Sequence, residues 1–245
     1  MRMSTVIYPL LLGKQTFSKA QFTYFMNYDQ KIWVPIVAWY IRTADTELLV
    51  DTGMSAQDIK RYLFGQLYES NQSIEEALEK RGSNPSRIKI IIQTHLHYDH
   101  CGNNRLFPNA RVIVQEKELA FARNPHPVFR GSYNPSFFES SDFEVIEGEK
   151  EIVPGISVVP VPGHTPGSQA VLVDLENKKA ALTGFCCLLE NFEPPEKIRK
   201  AWPVIPIGVS VNSLEAYDSM LKLKGMADLI IPMHSMEYAE KEFIA

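Results

Sequence analysis

Thr94-His95-Leu96-His97-Tyr98-Asp99-His100 places three imidazoles and a carboxylate within six consecutive residues. The run follows Ile88-Lys89-Ile90-Ile91-Ile92-Gln93, a short β-branched apolar segment with the character of a buried strand. The ligand-type residues therefore fall where a strand ends and a loop begins, a place where the strand holds the loop rigid. His95 and His97 are two apart, so in extended chain they point the same way and can grip one ion. Asp99 and His100 are adjacent and need a turn to converge, on the same ion or on a second. Neutral imidazole with carboxylate suits zinc, iron, manganese or cobalt. The chain has six histidines. Beyond the three in this run, His164 and His234 sit in glycine- or proline-marked turns after predicted strands, and His126 stands apart.

Length and composition narrow the class. The 245 residues can build a core without disulfide staples, and no linker divides them, so one domain over 1–245 is expected. The net charge of −4 with no basic stripe argues against a nucleic-acid partner. No stretch is long and apolar enough to span a membrane. The segment from Met1 to Leu12 has some look of a signal peptide, but Pro9 breaks its apolar run and no small-x-small site follows, so Val6–Leu12 is read as the first strand. Three cysteines, Cys101, Cys186 and Cys187, are not a disulfide framework, and the cytoplasm is the simplest compartment.

Outward from the histidine run, residues 14–33 read as a polar loop dotted with aromatics, including Phe17, Phe22 and Trp33, that can wall an apolar pocket. Ile36–Arg42 and Glu47–Asp51 read as a hairpin. The Asp51-Thr52-Gly53 turn is expected beside the histidine loop, with Asp51 holding neighbouring loops by hydrogen bonds. Helices are expected over Ala56–Tyr68 and from the capping box at Ser73-Ile74-Glu75-Glu76 to Arg81. Arg111–Gln115 reads as a strand, Glu116–Arg123 as a helix, and the Pro-, Asn- and Phe-rich segment 124–142 as a lid. The second half gives strands near Val145, over 156–161, 169–174 and 179–183, a helix from Asn212 to Lys224, a strand over Asp228–Pro232 and a terminal helix over Ser235–Phe243. Strand pairs and helices in both halves indicate an α+β fold with two sheets face to face and helices outside.

His-x-His-x-Asp-His at residues 95–100, with Leu49-Val50-Asp51-Thr52-Gly53 before it and Gly163-His164-Thr165-Pro166-Gly167 and Ile231-Pro232-Met233-His234 after it, resembles the signature of the metallo-β-lactamase superfamily. The resemblance covers nearly the whole chain and implies a four-layer αββα sandwich. Trp33–Tyr40 running into Asp51-Thr52-Gly53-Met54, and Glu190-Asn191-Phe192-Glu193, look most like the N-acyl homoserine lactonase branch. The family pattern implies that His95, His97 and His164 hold one metal and Asp99, His100 and His234 a second, with zinc as the expected ion and iron, manganese or cobalt as alternatives.

One position departs from that pattern. Phe185, in Ala181-Leu182-Thr183-Gly184-Phe185-Cys186-Cys187, stands where the resemblance implies an aspartate bridging both metals. The lactonase tyrosine a few residues later is also missing. Either Cys187 or Cys186 supplies a thiolate, or two metals share hydroxide alone, or only the three-histidine site fills and Asp99 acts as a base. Period-two alternation puts Cys187 on the face of Phe185. As small apolar side chains, both cysteines also fit a buried, inert role.

The reaction that these residues suit is hydrolysis, in which a metal-bound water with its pKa lowered to about 7 attacks a polarised carbonyl and Asp99 orients it or moves its proton. The expected substrate is a small, partly apolar lactone or similar cyclic ester or amide. Tyr98, Tyr133 and Phe185 are the expected substrate contacts, and a homodimer is the commonest assembly. Iron-dependent sulfur or oxygen chemistry, a glyoxalase II-type thioesterase and a non-catalytic binding relative are the alternatives on the same fold.

Overall fold

The computed structural model describes residues 5–245; the expectations that fall on Met1–Ser4 lie outside them. One sheet is built from β1 (Val6–Ser18), β2 (Lys31–Arg42), β3 (Glu47–Val50), β4 (Tyr68–Ser70), β5 (Ile90–Ile92), β6 (Arg111–Gln115) and β7 (Asp142–Ile146), in the order β4-β1-β2-β3-β5-β6-β7. The other takes β8 (Lys150–Val153), β9 (Ile156–Pro160), β10 (Gln169–Asp174), β11 (Lys179–Leu182) and β12 (Leu229–Ile231), in the order β12-β11-β10-β9-β8. The β1–β2 and β2–β3 pairs are antiparallel, whereas β3, β5, β6 and β7 run parallel.

Alternation along the strands sorts side chains into layers, because successive residues point to opposite faces. On β2, β3, β5 and β6, Trp39, Val50, Ile92 and Ile113 face inward and meet Val158, Val171, Val173 and Leu182 of the second sheet. Their neighbours Tyr40, Leu49, Ile91 and Val112 face outward, under Ile74, Leu78, Leu119 and Phe138 of the covering helices. On the other side, Val159, Leu172 and Ala181 pack beneath Ala216, Met220 and Leu223 of the helix Ser213–Lys224. Helix, sheet, sheet and helix therefore stack as the expected αββα sandwich. Among the described residues no helix is long and apolar enough to cross a membrane.

Several boundaries differ from expectation. β1 does not stop at Leu12 but continues to Ser18, paired with β2 throughout and bulged between Leu11 and Gly13, so the expected 14–33 loop shrinks. The helix expected over Ala56–Tyr68 is a single turn, Ala56–Ile59, followed by a 3-10 turn at Lys60–Tyr62. The backbone turns extended at Leu63, Gly65 takes φ +86° in the loop that follows, and Tyr68–Ser70 becomes an edge strand on β1. The capping box at Ser73 and Glu76 forms, and its helix runs over Ile74–Glu79. β8 was not expected and forms a hairpin with β9. The segment 124–142, expected as a lid, folds as a 3-10 stretch, Pro127–Ser132, and a helical turn, Pro135–Phe138, whose Phe137 and Phe138 are buried. The terminal helix is only Met236–Ala239, because Ile244 is drawn back to pair with Ile7 through two backbone hydrogen bonds.

Candidate metal centre

β5 ends at Ile92, and the chain enters the histidine loop over the Asp51 turn. Asp51, held at φ 57°, accepts hydrogen bonds from the Thr94 amide at 2.7 Å, the Thr94 hydroxyl at 2.7 Å and His100 Nδ1 at 2.6 Å. It thus holds the loops together, as its turn position suggested. The convergence that Asp99 and His100 need comes from one helical turn, Tyr98–Cys101, docked on this bend where the Thr52 amide donates to the His100 carbonyl at 2.7 Å. Gly163, at φ +126°, sets the second loop, where His164 donates from Nδ1 to the Val209 carbonyl at 2.8 Å. His234 follows β12, with the ring of Phe22 edge-on at 5.6 Å.

The fold brings together two groups of ligand-type side chains. His95, His97 and His164 offer ligand atoms within 4.8 Å of one another, and so do Asp99, His100 and His234. The groups adjoin, with the rings of His95 and His100 4.0 Å apart. His126 belongs to neither and lies on an exposed stretch. Burial, reinforced by the neighbouring imidazoles, holds His95 and His97 well below the usual histidine range. Burial likewise pushes His164 down to about 4 and His234 down to about 3. For His100 burial acts the same way, but the Asp99 and Asp51 carboxylates outweigh it and raise its pKa.

These are the properties of cation donors. His95 Nε2, His97 Nε2 and His234 Nδ1 are buried without any hydrogen-bond partner. A buried polar atom left unpaired costs about 1–3 kcal/mol, and five imidazoles in contact are hard to explain by core packing alone. Neutral imidazoles with unpaired nitrogens fit a borderline-soft divalent ion such as zinc.

The groups open onto one pocket, lined also by Phe17, Gln21, Phe22, Tyr98, Ser132, Cys186 and Val209. Phe17 and Phe22 come from the aromatic stretch read as a pocket wall. Tyr98 lines the pocket with its ring stacked on Tyr62 at 4.0 Å. Two expected substrate contacts are not at its wall. Phe185 is fully buried in the outer core beneath the second sheet, 6.4 Å from Phe192. Tyr133 is buried behind His97 and donates its hydroxyl to Glu118 at 3.3 Å.

The two cysteines also change places. Cys187 is fully buried with Phe185, its sulfur 3.2 Å from the Thr183 hydroxyl. Cys186 is the thiol that reaches the pocket, although neither cysteine is in a ligand group. Alternation put Cys187 beside Phe185 correctly, but that face is core. Glu118, Thr94, Gln21, Ser132 and Val209 had no signal in the sequence, since each acquires its role only through residues distant in the chain.

The comparisons agree with this geometry. Residues 32–227 match the model of the metallo-beta-lactamase superfamily. An N-acyl homoserine lactonase from Bacillus sp is 31% identical over 172 residues, spanning 65% of this chain and 67% of the relative. The crystal structure of a quorum-quenching N-acyl homoserine lactone lactonase superposes with a TM-score of 0.80 at 25% identity, covering 100% of both chains. A B. thuringiensis AiiA mutant with N-decanoyl-L-homoserine bound at its active site gives 0.77 at 25% identity, over 95% of this chain and 94% of that one. With three of the four sequence motifs lining one pocket and the fourth, at Asp51, holding its loops together, the chain belongs to the metallo-β-lactamase superfamily.

Proposed function

We propose that this protein is a metal-dependent lactonase that opens the ring of N-acyl homoserine lactones or similar cyclic esters. The observation that carries the reading is the pair of adjoining ligand groups, with buried and unpaired imidazole nitrogens, at a pocket that also has an apolar wall. The lactonase relatives supply the substrate class.

His95, His97 and His164 would hold one ion, and Asp99, His100 and His234 a second, with zinc the ion that best suits the donors. When bound, the metal supplies a water acidified to near neutrality and a Lewis acid for the ester carbonyl. The remaining work falls to the chain. Asp99 is the carboxylate that lines the pocket among the described residues. It accepts the proton of the nucleophilic water and returns it to the ring oxygen as the ester bond breaks. Phe17, Phe22 and Val209 take the apolar part of the substrate and exclude water around it. Tyr98, kept protonated by burial, offers the ester a hydroxyl donor. Cys186 is the thiol available to the second group, where Phe185 leaves no bridging carboxylate.

The test is metal content per chain together with turnover of a panel of N-acyl homoserine lactones. Bound zinc and ring opening abolished by chelation are expected. A zinc-loaded protein that turns over no lactone in the panel would overturn the substrate class.

A further inference from the structure

Glu118 lies on the helix Glu116–Arg123, is fully buried, and among the described residues has only uncharged hydrogen-bond partners. The idealised cost of burying an ion is large, and even after relaxation it is several kcal/mol. Its partners show what the cost serves. Leu96, between His95 and His97, donates its amide to Oε1 at 2.9 Å. Thr165, directly after His164, donates its hydroxyl to Oε2. Tyr133, whose ring is 4.8 Å from the ring of His97, donates to Oε1 at 3.3 Å. Each bond therefore lands beside a member of the three-histidine group, and that group carries no formal charge of its own. The contact is also close in the backbone: a Cβ on Gly167 would lie 2.0 Å from the Glu118 nitrogen.

We propose that Glu118 is the positioning residue and counter-charge of the three-histidine group, clamping residues 94–97 and 163–167 together and balancing the charge of the cation held there. This rests on the reading of that group as a metal site. Burial leaves the Glu118 carboxyl raised, although the Thr165, Leu96, Tyr133 and Gly167 donors oppose that shift and favour its charged form. A dication held by the three histidines would stabilise it further, so clamp and metal would support one another.

The experiment titrates zinc against a chromophoric chelator in a His234→Ala background, which leaves the three-histidine group to be read alone. Melting temperatures are taken with and without zinc. Glu118→Gln keeps the size but turns an amide toward donors, and is expected to weaken zinc binding about 10–100-fold, the usual loss when a group supporting a ligand is removed. Thr165→Val removes one arm of the clamp and should lose less, and Thr165→Ser should restore the parent affinity. The stabilisation that zinc confers should shrink in the same order. Should Glu118→Gln fail to fold, the two Thr165 variants carry the test. Zinc affinities indistinguishable from the parent, with a lower melting temperature in the metal-free protein, would show Glu118 to be structural only and overturn the proposal. A parent that binds no zinc overturns it together with the metal-site reading, an outcome distinct from the first.

Discussion

His100 donates from Nδ1 to Asp51 Oδ2 at 2.6 Å, with its side chain 5% exposed and that of Asp51 fully buried. The same oxygen accepts from the Thr94 hydroxyl, which in turn lies 3.0 Å from His95 Nδ1. With its proton committed to Asp51, the Thr94 oxygen is left to accept from His95. One carboxylate thereby orients an imidazole in each ligand group and holds a proton on the Nδ1 of each. Asp51→Asn preserves shape and tolerates the left-handed backbone, but it removes the charge. Zinc affinity should fall about 10–100-fold by chelator competition. Thr94→Val should weaken the three-histidine group more than the other, and Thr94→Ser should not. Unchanged affinity in Asp51→Asn would mean that the bond serves folding alone.

The depressed histidines set a pH dependence. His95, His97, His164 and His234 are held below the ordinary 6.5 in the folded chain. In the unfolded chain they titrate near that ordinary value. Below it the unfolded state binds more protons, so stability falls with pH. The loss should begin near 6.5 and continue to about 4 for His164 and about 3 for His234. His100, raised by its carboxylates, has the opposite sign: its contribution is present below 6.5 and fades as pH rises through its folded value. Glu118, raised by burial, has the same sign as His100, and four lowered groups against these two give a net loss on acidification. Melting temperatures of the metal-free protein should therefore decline from about pH 6.5 downward; a flat profile to pH 4 would contradict the assigned protonation states.

The cysteines should separate cleanly. Cys186→Ser removes the thiol at the pocket, and if that thiolate completes the second group, metal content per chain should drop from two toward one. In the cobalt-loaded protein the thiolate charge-transfer band should vanish. Cys187→Ser places a hydroxyl in the packed outer core and should lower stability by about 1–3 kcal/mol while leaving metal content alone. Full metal content in Cys186→Ser would clear the thiol and favour a second site bridged by water alone.

How much of this was legible depended on how local the information was. Residues 88–100 were readable because a β-branched run and four ligand-type residues sit side by side, and the one turn they needed is supplied within the segment. Residues 14–18 were not. Lys14-Gln15-Thr16 has little strand character of its own, and it is pairing to β2 and β4 that makes it a strand. Glu118 was illegible for a similar reason, since Leu96, Thr165 and Tyr133 reach it from 22, 47 and 15 residues away. Alternation paired Cys187 with Phe185, but it could not show that this face is core or that β11 ends at Leu182, before Cys186 turns to the pocket.

Gly163 offers a test of how tightly the second histidine loop is seated. A Cβ there would lie 2.2 Å from the Ala216 nitrogen and 2.4 Å from its Cα, and the φ of +126° is already unfavourable for any other residue. The Gly163 carbonyl also accepts from the Asn212 amide at 3.0 Å, just before the helix Ser213–Lys224. Gly163→Ala must therefore displace either that helix or the loop carrying His164. Backbone strain alone costs about 1–3 kcal/mol, and the clash adds to it, so both the melting temperature and the zinc affinity of the three-histidine group should fall. Gly148→Ala is the control: Gly148 has φ +82° but nothing within 4 Å of the added carbon. It should lose only the strain energy and keep its zinc affinity. Equal losses in the two variants would mean that backbone conformation, and not the close approach of the helix, is what requires glycine at position 163.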